Sequence, residues 1–102
     1  MNTSIIHSVI FTLKHEKDLA AARQFLADGQ ALLSSIPTVE NFQVFHQVSL
    51  KNNYQYGFSM EFESQAAYDA YNEHPVHTAF VKDRWEKEVV DFLEIDYKHY
   101  QQ

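Results

Sequence analysis

An α+β sandwich, with one antiparallel sheet of four strands and helices packed on one of its faces, is the fold class this sequence predicts. Four stretches alternate with the two-residue period of a strand. Stretches of helical period separate the first strand from the second and the third from the fourth. The chain has 102 residues, so it has room for one such unit, and its 45% hydrophobic residues with only two glycines and two prolines are enough to close a packed core.

The first strand is predicted over Ile5 to Lys14, where His7, Val9, Phe11 and Leu13 share one face and Ile6, Ser8, Ile10 and Thr12 the other. Both faces are largely apolar, so both should be covered. Asp18 is the predicted cap of a helix running to about Ser35, with Leu19, Ala22, Phe25, Leu26, Gly29, Leu33 and Ile36 at helical spacing. Pro37 ends it, because the residue before a proline is pushed out of the helical region. Phe42 to Leu50 and Tyr54 to Phe62 alternate as two strands, and the Lys51-Asn52-Asn53 turn between them reads as an antiparallel hairpin.

Ser64 then caps a short helix through about Asn72, with Ala67, Tyr68 and Tyr71 on its inner side. Pro75 starts another that carries Val76, Phe80, Val81 and Trp85 inward. The last strand is predicted from about Val89 to Lys98, with Val89, Leu93, Ile95 and Tyr97 as the more apolar register and Asp91 as its odd member. The order β-α-β-β-α-α-β is that of a ferredoxin-like sandwich, one domain over residues 1–102. Helices cover one sheet face in such a fold. The other face is rich in large apolar side chains here, so two copies packing sheet to sheet are expected.

Fourteen acidic against eight basic side chains give a net charge of −6, and no run of Lys or Arg is present to track a phosphate backbone, so no nucleic-acid partner is expected. Absence of cysteine excludes a disulfide scaffold, a thiolate nucleophile and a cysteine zinc site. The apolar run Ile5 to Phe11 is too short to span a membrane and lacks a basic flank. A cytoplasmic protein without membrane partners is the expectation.

Chemistry concentrates in Tyr71-Asn72-Glu73-His74-Pro75-Val76-His77, where a phenol, a carboxylate and two imidazoles surround a helix-starting proline. His77 suits a general base because imidazole titrates near neutrality, and Tyr71 could orient it or donate to a developing oxyanion. Both could equally brace the corner between helices. His74, just before the proline, reads as a structural cap. A metal held by His74 and His77 with Glu73 or His7 is the weaker alternative, since that spacing is common and no further ligand is specified. No metal or other cofactor is expected. His7 is either a satisfied core histidine or a pocket residue, and Tyr56, Phe58, Met60 and Phe80 are either core or the wall of a ligand site. His15, His46 and His99 have no assigned role. Glu86, Glu88, Asp91, Glu94 and Asp96 read as a solvated or salt-bridged face in preference to a paired-carboxylate or cation site.

Five stretches, taken in order, resemble the stress-responsive dimeric α/β-barrel (Dabb) family. They are the opening Ile6-His7 to Leu13-Lys14, Ile36-Pro37, Tyr56 to Phe62, the His74-Pro75-x-His77 box, and Phe92 to Tyr97. The resemblance implies a homodimer whose two sheets close into one eight-stranded barrel, with a hydrophobic pocket. The family includes olivetolic acid cyclase-like members, which close a polyketide chain by an aldol reaction, and stress and antifungal proteins with no assigned catalysis. By position, the resemblance makes His77 the catalytic base, Tyr71 its assisting tyrosine and His7 a pocket histidine. Tyr56 departs, standing where the cyclase carries a histidine. The implied function is cofactor-free acid/base chemistry of lyase or cyclase type on a small hydrophobic carbonyl or polyketide-like compound. The alternative is a non-catalytic ligand-binding or structural stress-response dimer.

Overall fold

The computed structural model describes residues 3–100. Strand β1 (Ile5–Leu13) leads to helix α1 (Ala20–Leu33), β2 (Glu40–His46), β3 (Tyr56–Phe62), α2 (Gln65–Glu73) and α3 (Pro75–Phe80). The last helix runs on through a π-turn at Val81–Trp85 into a single turn, α4 (Glu86–Glu88), and then β4 (Val89–Lys98). The sheet is antiparallel throughout, in the order β2-β3-β1-β4. This is the ferredoxin-like α+β fold expected from the sequence. β1, the strand apolar on both faces, lies inside the sheet.

Register decides what the site is made of. On the helix-covered face, pairing lays four rows across β3, β1 and β4: Tyr56–Phe11–Phe92, Phe58–Val9–Glu94, Met60–His7–Asp96 and Phe62–Ile5–Lys98. Tyr56 and Phe11 of the first row belong to an aromatic core, in which the Phe11 ring lies 5.9 Å from Phe25 and 4.9 Å from Trp85. Phe11, Phe25 and Tyr56 are wholly buried, and each such ring contributes roughly 1.5–3 kcal/mol of apolar burial. Gly29 lets α1 come this close to the sheet, since a Cβ there would stand 2.7 Å from Cζ of Phe58 and 3.3 Å from Cζ of Phe80. Arg84 fixes the other helical layer to α1. Its guanidinium donates to Asp28 at 2.6 Å and to Glu88 at 2.5 Å, and the other Glu88 oxygen meets His15 at 2.6 Å.

Three local expectations are corrected. Asp18 does not cap α1: Leu19 holds the N-cap position, and Asp18 sits in the left-handed region with φ 63°. Its carboxylate accepts from the Tyr56 hydroxyl at 2.9 Å and faces His46 Nε2 at 3.0 Å, partners that replace the first-turn N–H groups. The β2–β3 hairpin is not tight, because pairing stops at His46 and resumes at Tyr56. The Gln47 side chain donates to the Tyr54 carbonyl at 2.8 Å and shapes the loop, leaving Val48 and Leu50 in solvent. In β4 an irregularity opposite Thr12 and Leu13 shifts the register, so Val89 shares the inner face with Phe92, Glu94 and Asp96. Leu93, Ile95 and Tyr97 therefore join Ile6, Ile10 and Phe45 on the face without helices. Among the described residues, no helix is long and apolar enough to cross a membrane.

Candidate functional site

Between the sheet and the α2–α3–π-turn layer lies a cavity of about 530 Å³. The sheet lines it with His7, Val9, Phe58, Met60, Phe92 and Glu94, and the helical layer with Tyr71, His77, Phe80, Val81, Trp85 and Glu86. The whole Phe58–Val9–Glu94 row, Met60 and His7 beside it, and Phe92 supply its floor. The corner between α2 and α3 supplies its polar wall.

That corner forms because Pro75 keeps His74 extended, at φ −65° and ψ 135°, ending α2 after Glu73. His74 Nδ1 accepts a bond from the Val76 N–H at 3.1 Å, which occupies a free donor of the first turn of α3. His77 then falls against Tyr71, with ring centroids 4.4 Å apart and planes inclined by 46°. The two rings pack; they do not hydrogen-bond. His77 Nδ1 lies 3.1 Å from the Asn72 carbonyl oxygen, and since a carbonyl only accepts, Nδ1 carries the proton. Nε2 is left with its lone pair and no partner among the described residues. Burial is the main cause holding the imidazole below its ordinary pKa of 6.5, against the Asn72 carbonyl, which raises it. Desolvation thus keeps His77 neutral.

Tyr71 is 3% exposed and lines the cavity, yet its hydroxyl has no hydrogen bond among the described residues. Burial first, then Tyr68 and Glu94, push its pKa up, so it remains a proton donor. His7 is buried at the inner end of the cavity, its ring 6.2 Å from that of Tyr71. Its Nδ1 meets Asp96 Oδ1 at 2.5 Å, and the Tyr68 hydroxyl, 3.1 Å from the same nitrogen, donates to Asp96 Oδ2 at 2.9 Å. A carboxylate and a phenol therefore fix the His7 ring, and its Nε2 has no hydrogen bond among the described residues.

Phe58, Met60 and Phe80 line the cavity along with the three polar groups singled out from sequence, but Tyr56 does not. Tyr56 is fully enclosed in the core row, its hydroxyl accepting the Asp18 N–H at 2.8 Å and donating to the Asp18 carboxylate. A phenol at that position therefore leaves the cavity's basicity untouched. Sequence reasoning missed Asp96, Tyr68, Glu94 and Trp85 as parts of the site. Glu94 and Asp96 were placed on a solvated face, and their two-residue spacing opposite Val9 and His7 was the available signal.

Comparison with known proteins supplies a family. The pattern of the Stress responsive A/B Barrel Domain family, Dabb, matches residues 5–99. A Dabb family protein with a ferredoxin-like fold from Mesorhizobium loti is 50% identical, with a TM-score of 0.95 over 96% of this chain and 98% of that one. A dimeric ferredoxin-like protein of unknown function from Bacteroides fragilis is 20% identical, with a TM-score of 0.70 over 94% and 96% of the two chains. Hydroxynitrile lyase from Passiflora edulis is similar in fold at 14% identity, with a TM-score of 0.83 over 100% and 98%. No curated protein matches the chain.

Proposed function

The chain belongs to the Stress responsive A/B Barrel Domain family, and on that premise we propose that it is a homodimeric α/β barrel, one domain over residues 1–102, whose cavity moves a proton on a small apolar carbonyl compound without a cofactor. The observation that carries this reading is the pairing, in one largely apolar cavity, of a partnerless acceptor, His77 Nε2, with a partnerless donor, the Tyr71 hydroxyl. His77 takes a proton from the carbon next to the carbonyl, and the electron pair left behind moves onto the carbonyl oxygen. Tyr71 donates a hydrogen bond to that oxygen, and His7, steadied by Asp96, anchors the polar end of the ligand. Phe58, Met60 and Phe80 hold the apolar body. The dimer reading is supported by the face without helices, where Phe45, Leu93 and Tyr97 are each about half exposed, and by dimeric relatives of the same fold.

The test is exchange of the α-protons of phenylacetone for deuterium, followed by NMR. Exchange above the buffer rate, lost in His77→Ala and reduced in Tyr71→Phe while both variants keep the wild-type circular dichroism, is the expected result. Saturable binding of phenylacetone without exchange would instead select the second reading, a non-catalytic binding protein. One observation favours that alternative: the Tyr71 and His77 rings pack at a tilt and leave the base unassisted by a direct hydrogen bond.

A further inference from the structure

The polar groups free inside the cavity are nearly all acceptors. Glu86 and Glu94 line it, both are exposed and so mark its open side, and neither has an ion-pair partner among the described residues. Among the described residues, no Lys or Arg lines the cavity to balance them. His7 cannot do so either, because a positive charge on it would be matched by Asp96, with which it is in contact. His77 presents a lone pair. The Tyr71 phenol, 97% buried by its 3% exposure and without a partner, can accept as well as donate. Beside the two carboxylates stand the Trp85 and Phe92 rings, 5.6 Å apart and nearly perpendicular, so that a cation meeting one ring face is close to the other.

An acceptor-rich, negatively charged cavity walled by aromatic rings fits one kind of polar group above others. A carboxylate or phosphate would meet like charge at Glu86 and Glu94, and an ammonium brings three N–H donors and no acceptor. We propose that the cavity selects ligands whose apolar body ends in a protonated amine, held at the Glu86 and Glu94 carboxylates against the Trp85–Phe92 pair. The proposal rests on the cavity being a ligand site and adds the charge of what enters it.

Three probes of matched size separate the two claims: phenethylamine, phenylethanol and phenylacetate, titrated by calorimetry into the intact protein at low and high salt. The amine is expected to bind about tenfold tighter than the alcohol at low salt, the advantage shrinking as salt rises, with the acid weakest. In the Glu86→Gln, Glu94→Gln double variant, the amine's affinity should fall to that of the alcohol. The acid binding as well as the amine, or the double variant keeping the amine's advantage, overturns the charge assignment alone. If none of the three binds, the ligand-site reading itself falls and this proposal with it. Because both glutamates are exposed, the thermal midpoint of the double variant should stay near wild type and certify its fold.

Discussion

Two clusters of histidine, aspartate and tyrosine stand at diagonally opposite corners of the sheet. One is His7–Asp96–Tyr68, near the start of β1 and against β4; the other is His46–Asp18–Tyr56, near the end of β1 and against β2. Their chemistry is the same and their surroundings are not. The His7 side chain is 8% exposed and faces a cavity, whereas that of His46 is 61% exposed and faces water. In the second cluster the phenol, not the imidazole, is buried, and its hydroxyl is fully used by one loop residue. A set of residue types therefore does not make a site. What makes one is enclosed space with a reactive atom left without a partner.

The largest expected effect that tests this contrast comes from removing each imidazole in turn. His7→Leu removes a buried imidazole that both Asp96 and the buried Tyr68 contact, and should cost about 1–3 kcal/mol in urea unfolding. His46→Leu breaks a contact between two exposed groups and should leave the urea midpoint close to wild type. Equal losses at the two positions would mean that the two clusters do not differ in this way.

A smaller effect sharpens it at the phenols. Tyr56→Phe removes a hydroxyl that both accepts and donates, and should cost about 1 kcal/mol while leaving phenylacetone exchange at the wild-type rate. Tyr68→Phe should cost a similar amount but slow the exchange severalfold, because the carboxylate that orients His7 loses one of its two anchors. Rates falling alike in both variants would mean that the closed corner communicates with the cavity.

The order of the strands and helices was legible because alternation and helical spacing are local signals, and the corner at His74 and Pro75 was legible because a proline restricts the residue before it. Asp18 looked like a helix cap because capping is also local. Its true partners, Tyr56 and His46, are supplied by β3 and β2, and a left-handed backbone turns the side chain toward them. Asp96 was hidden for a related reason. A strand period assigns faces correctly only until a bulge, and the irregularity opposite Thr12 and Leu13 moves Glu94 and Asp96 to the inner face while sending Leu93, Ile95 and Tyr97 outward. The same sensitivity applies to Tyr56. Its register on the inner face was correct, but only the packing around Tyr56 and Phe11 shows that this part of the face is filled.

The finest difference between the two corners is in their response to acid. His77, beside the buried cluster, has a folded-state pKa held below 6.5 chiefly by burial, so the unfolded chain binds a proton that the folded one refuses. Its contribution to stability is complete above about pH 6.5 and is lost progressively as the pH falls from there. Asp18, in the exposed cluster, is held below 3.8 by the hydrogen bond from His46 and then that from Tyr56, so its contribution is present above that value and is lost only as the pH falls below it. Both groups weaken the fold in acid, but in separate windows. Thermal midpoints followed downward from neutrality should first decline near pH 6.5, and His77→Gln should flatten that first step without moving the second. Asp18→Asn should do the reverse. A first step that survives in His77→Gln would show that some other group titrates there, and the desolvated lone pair on which the proton-transfer reading depends would lose its support.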